Sequence, residues 1–223
     1  MEIFEKWWNI ILEIFCDGLC EPVNPCVTAT WGFVIKRDGI IIKKDCGILG
    51  NGAGMTNNVA EYSAAINAIK WLREQGLTDE KAILLSDSQL LIFQLQGRYA
   101  VRSNRLRPLY DRLTKELKAV RKIGFRWIPR EENEEADALS LEAYWQSQED
   151  GRKERGAMLV NDVLKVEDNL FKIKEKEYVI NLLNNSCTCP DFVKQRRRCK
   201  HIWAVLLATE TKYEACTDSI DTD

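Results

Sequence analysis

A run of apolar, β-favouring residues, Ile10-Ile11-Leu12-Glu13-Ile14-Phe15-Cys16, ends on a carboxylate, Asp17, and this ending constrains the fold more than any other feature. A strand of that composition belongs in a core, where an unpaired ionised carboxyl is costly. Three further acids stand in separate contexts: Glu61 in TNNVAEY, Asp87 in LLSDSQL and Asp137 in PREENEEADALS. Each alone reads as a solvated surface group or a helix cap. Gathered in one place, they would repel each other unless a cation sat between them. Oxygen-only ligands of this kind suit Mg²⁺ or Mn²⁺, which keep several waters and take a few carboxylates plus substrate phosphates.

The runs around these acids order themselves as βββαβααβα, a mixed α/β sheet with helices on its faces. Strands are expected at Ile10 to Cys16, Ala29 to Lys36 and Gly39 to Cys46, with Asp38-Gly39 as a hairpin turn. Thr56 caps a helix ending near Gly76, and Ala82 to Leu85 is a buried strand. A short helix covers Leu90 to Leu95, and a longer one Arg105 to Lys122, with Pro108 in its first turn. Phe125 to Ile128 is the last strand, stopped by Pro129, and a helix spans Asn133 to Gln146. The organisation expected is a catalytic domain over 1–148, a polar linker over 149–156, a small α+β domain over 157–212 and a disordered acidic tail over 213–223.

At 223 residues there is core enough for both domains. The formal net charge of −2 provides no global attraction to a polyanion, so such a partner must be held locally. The apolar start at Trp7-Trp8 carries Glu2 and Glu5, unlike the basic flank of an export signal, and no stretch is long enough to span a membrane. A cytoplasmic monomer is expected. Of the eight cysteines, Cys16, Cys20, Cys26 and Cys46 have no metal spacing and read as small buried hydrophobes of a reducing compartment.

Taken together, Asp-Gly on the first strand, Thr-Asn-Asn-x-x-Glu on the first helix, Asp-Ser-Gln after the fourth strand and Asn-x-x-x-Asp on the last helix resemble type 1 ribonuclease H. Tyr99-Ala100-Val101, Ile128-Pro129-Arg130-Glu131 and Ala138-Leu139-Ser140 resemble its archaeal-type branch. The resemblance covers Ile10 to Gln146 and implies a five-stranded ribonuclease H-like sheet. It also implies hydrolysis of the RNA strand of RNA/DNA hybrids to 5′-phosphate and 3′-hydroxyl ends, with Asp17, Glu61, Asp87 and Asp137 holding two Mg²⁺ or Mn²⁺ ions. Substrate contacts are implied for Gly18, Cys20, Asn57, Asn58, Gln89 and Asn133, groups able to sense a 2′-hydroxyl, and a phosphate pocket for Asn24 and Thr56. Three departures stand out. Cys26-Val27-Thr28 replaces the usual Gly-rich turn, and the loop before the last helix lacks histidine, leaving Arg130 or Glu131 to act there. Arg102, Arg105 and Arg107 are the nearest counterpart of a basic protrusion.

Cys187-x-Cys189 and Cys199-x-His201 form a second constellation, a thiolate and imidazole set that suits one structural, tetrahedral Zn²⁺. With short strands before it, Pro190-Asp191-Phe192 after the second ligand and an apolar helix behind, it resembles the SWIM zinc finger. Lys194, Arg196, Arg197, Arg198 and Lys200 lie between or beside the ligands as a basic loop, able to sit on the phosphates of hybrid, double-stranded RNA or DNA. A solvated loop or a protein-binding surface are its other readings. Two alternatives to the nuclease are carried: a non-catalytic hybrid-binding adaptor, and a transposase or integrase relative.

Overall fold

The computed structural model describes residues 11–22, 28–174 and 176–217. It divides into two units, Met1–Trp145 and Gln146–Asp223. In the first, Asp38 and Gly39 take φ of +51° and +77°, as a two-residue hairpin turn requires. They return β2 (Thr28–Arg37) as β3 (Ile40–Asn51). β1 (Ile11–Glu21) pairs antiparallel with β2 and parallel with β4 (Lys81–Ser86), which pairs parallel with β5 (Lys122–Trp127). The sheet runs β3-β2-β1-β4-β5, a meander on one side and parallel strands reached through helical crossovers on the other.

Alternation along β1 decides the core face. Leu12, Ile14 and Cys16 are fully buried with Phe33 and Ile35 of β2 and with Ile66, Ile69 and Leu72 of α1 (Asn57–Glu74). Thr56 caps α1, its hydroxyl accepting from the Val59 N–H at 3.3 Å. Between β4 and β5 lie α2 (Gln89–Leu95) and α3 (Arg107–Leu117). α3 is shorter than expected because Val120 turns back into the core and Lys122 already begins β5. On the opposite face α4 (Glu134–Ala157) presses on β2 at Gly32, where a Cβ would lie 2.6 Å from the Ser140 amide nitrogen.

The segment expected to be an irregular linker is helical, since α4 continues through it to Ala157. Its Gln, Glu, Lys and Arg residues are good helix formers, and Arg152 is buried there against Asp191 at 3.3 Å. The second unit holds an antiparallel sheet of β6 (Val163–Glu167), β7 (Leu170–Ile173), β8 (Val179–Asn181) and β9 (Ser186–Cys187). α5 (Pro190–Gln195) and α6 (Lys200–Thr217) follow. The expected disordered tail is therefore helical as far as Thr217, and its remainder lies outside the described residues. The core of this unit is Phe171, Ile173, Ile180, Ile202 and Val205 packed around Cys187, Cys189 and Cys199.

Candidate metal centres

The parallel register sets Phe15 opposite Leu85, so Asp17 and Asp87, each two residues on, meet at the carboxyl edge of the sheet, the usual side for a ligand. Glu61 reaches them from α1 because residue 18 is glycine. A Cβ there would fall 2.1 Å from the Glu61 amide nitrogen. One carboxylate oxygen from each of Asp17, Glu61 and Asp87 lies within 4.8 Å of the others. Asp17 and Glu61 are only 5% and 8% exposed.

Burial, reinforced by Asp87 and Asp137, pushes the Asp17 carboxyl up to about 6 against the opposing hydrogen bond from Ser140. Burial and the charges of Asp17 and Asp87 raise Glu61 well above the carboxylate range, although Ser86 and the Gly18 backbone oppose this. Three acids that resist joint ionisation fit a divalent cation, which would supply the missing positive charge.

Several side chains that sequence reasoning left without a role hold the acids in place. The Ser140 hydroxyl donates to Asp17 Oδ2, and Ser86 donates to Glu61 Oε2 at 3.4 Å. Trp127 Nε1 donates to the Asp87 carbonyl at 3.0 Å. Ser140 stands three residues after Asp137, one helical turn on, and that spacing is the signal that could have found it. Ser86 and Trp127 carry no comparable signal, since only the packing of α1 brings Ser86 to Glu61 and only the pairing of β4 with β5 brings Trp127 to Asp87.

Asp137, expected as a fourth ligand, is not among the three clustered acids. Its carboxylate is paired with the Arg130 guanidinium, which lies on a short 3₁₀ turn before α4. Asn133, expected to touch substrate, is 1% exposed and ties Cys16 O to Asp87 Oδ1 through its Nδ2, both at 3.0 Å. It is a strut in this structure, with Oδ1 buried and unpartnered among the described residues. Asn57 and Asn58 in the first turn of α1, and Gln89 at the start of α2, are exposed. Gly18 is enclosed beneath α1, and Thr56 is engaged as the helix cap. Cys20 is disulfide-bonded rather than a simple buried thiol. Asn24 and Cys26 lie outside the described residues.

In the second unit, Sγ of Cys187, Cys189 and Cys199 and a ring nitrogen of His201 lie within 4.8 Å of one another, all four residues buried. Cys187 and Cys199 Sγ stand 3.8 and 3.9 Å from His201 Nδ1. Zn–S and Zn–N bonds of about 2.3 and 2.0 Å give a tetrahedral edge of roughly 3.6 Å, so the set is close to closure around zinc. Hydrogen bonds from Cys187 and His201 hold Cys199 far below the thiol range, whereas sharing with Cys199 raises Cys187 and burial raises Cys189. The five basic-loop residues are exposed, and Arg196 ends α5 with φ of +53°.

Fold and site thus define an α/β protein with a cluster of carboxylates able to hold a cation, followed by a small unit with a cluster of thiols and an imidazole. Residues 34–143 match the family model described as reverse transcriptase-like, and residues 172–210 match the SWIM zinc finger. A bifunctional protein of Mycobacterium tuberculosis is 36% identical over 88 residues, 40% of this chain and 24% of that protein. The chain thus spans about a quarter of the length of the first curated relatives it matches. A ribonuclease H of Bartonella tribocorum is 30% identical over 156 residues, covering 64% of this chain and 94% of the relative. A ribonuclease H1 isolated from compost, solved in complex with RNA/DNA hybrid, superposes with a TM-score of 0.57 at 32% identity over 61% of this chain and 99% of its own. The chain belongs to the ribonuclease H family. Among the described residues no helix is long and apolar enough to cross a membrane.

Proposed function

We propose that the protein hydrolyses the RNA strand of RNA/DNA hybrids, using Mg²⁺ or Mn²⁺ held by Asp17, Glu61 and Asp87. The observation that carries this reading is the convergence of three acids from three elements within 4.8 Å, at the open edge of a ribonuclease H fold. Bound divalent ions would activate water and stabilise the leaving 3′ oxygen. The chain's own residues keep the ligands aimed: Ser140 fixes Asp17, Ser86 fixes Glu61, and Asn133 and Trp127 fix the two ends of Asp87. Asp137 would join them once the Arg130 guanidinium turns from it to a substrate phosphate. The amides of Asn57, Asn58 and Gln89, exposed to solvent, would read 2′-hydroxyls.

The Cys187, Cys189, Cys199 and His201 set would hold one structural Zn²⁺, presenting Lys194, Arg196, Arg197, Arg198 and Lys200 to nucleic acid. A second weak site on the same chain raises effective affinity without new active-site contacts. The test incubates purified protein with end-labelled hybrid, double-stranded RNA and double-stranded DNA, with each metal and with Asp87→Asn. The expected result is metal-dependent cutting of hybrid RNA that the variant lacks. Hybrid bound but never cut would replace the nuclease with the adaptor reading.

A further inference from the structure

The second unit contains a cavity of about 530 Å³ whose lining joins three of the zinc-type ligands, Cys189, Cys199 and His201, and Lys200 of the basic loop to residues that belong to neither set. Its wall includes Arg152 and Arg155 from α4, Lys176 from the β7–β8 connection and Lys200 from the first turn of α6, with Asp191 as the single acid among the described residues. Arg152 is 8% exposed and is neutralised by Asp191 at 3.3 Å. Arg155, Lys176 and Lys200 therefore remain as three cations facing one concavity. The zinc-ligand set closes one side, but the volume far exceeds that of an ion, since a water occupies about 30 Å³ in the liquid.

Three features define what fits. The surplus of positive charge, strengthened by the N-terminal end of an 18-residue helix, suits a phosphate. Tyr178 lines the same cavity, its ring centred 5.0 Å from that of His201, and offers an aromatic face for a base. The size is that of a nucleotide-scale site. We propose that this cavity binds a 5′-phosphorylated nucleotide, with the phosphate on Arg155, Lys176 and Lys200 and the base beside Tyr178. The free nucleotide and the phosphorylated 5′ end of a strand present the same chemistry. No residue is shared with the carboxylate cluster, so the site stands whether or not hybrid is cut.

The full-length, zinc-loaded protein is titrated calorimetrically with 5′-AMP and with adenosine. A short single-stranded oligonucleotide is tested with and without its 5′ phosphate. The variants are Arg155→Gln with Lys176→Gln, and Lys194→Gln as a loop control, each checked for zinc content and melting temperature. The wild type should bind 5′-AMP and not adenosine, and the double variant should lose about tenfold or more in affinity, with zinc content and the loop control unaffected. Competition by the phosphorylated oligonucleotide alone assigns the site to strand ends, and absence of competition assigns it to the free nucleotide. Failure to bind 5′-AMP, or binding that the double variant retains or the loop control removes, overturns the proposal.

Discussion

The two candidate metal centres are built on opposite principles. Asp17, Glu61 and Asp87 come from β1, α1 and the end of β4, and the large core beneath them needs none of them. The four zinc-type ligands fall within one short stretch, and three of them belong to the core of a unit with few large apolar residues. A site laid on a self-sufficient fold can be electrostatically strained without its cation. A site that is itself the core leaves little structure when its ion is removed.

The largest predicted effect tests that contrast. Chelating zinc, or Cys199→Ser, should unfold the second unit while the first stays folded, because structural zinc contributes on the order of 10 kcal/mol. Limited proteolysis with mass measurement should then return a protected fragment ending near Trp145. Full protection of the second unit after zinc removal would erase the distinction.

Next, Asp17→Asn should lower hybrid cleavage by more than about a hundredfold. The same change should raise the melting temperature of metal-free protein, because a carboxyl pushed up to about 6 by burial is released. Calorimetry with and without Mg²⁺ checks both signs, and a fall in apo stability would contradict the strained-site account.

Gly18→Ala should cost about 1 to 3 kcal/mol, because its methyl would collide with the α1 backbone at Glu61. Activity should fall with stability, read from denaturant melts alongside cleavage rates. Ser140→Ala removes only the donor to Asp17 and should weaken Mg²⁺ activation about tenfold with little loss of folding. Trp127→Phe removes one hydrogen bond to the Asp87 carbonyl and should change cleavage the least, by about threefold to tenfold.

The succession of strands and helices in the first unit, the Asp38-Gly39 hairpin and the Thr56 cap were legible because each rests on local chemistry: strand alternation, positive φ and a side-chain oxygen at a helix start. The helical course of residues 149–156 was not, since a charged sequence reads alike as solvated linker or helix until Arg152 finds Asp191. The withdrawal of Asn133 into the interior was equally hidden. Its amide sits where any polar residue could face solvent, and only the approach of Cys16 and Asp87 gives it two partners.

The sequence by itself supplied the candidate ligands, acids in four separate contexts and cysteines paired at metal spacing, because ligand type and local spacing are written in the chain. Tertiary structure alone decided which acids meet. Register between parallel strands brought Asp17 beside Asp87, and the missing side chain at Gly18 let Glu61 approach. Asp137 pairs instead with an arginine on a neighbouring turn and stands outside the three-acid cluster. Distances between elements are fixed by packing, which no single stretch of sequence contains.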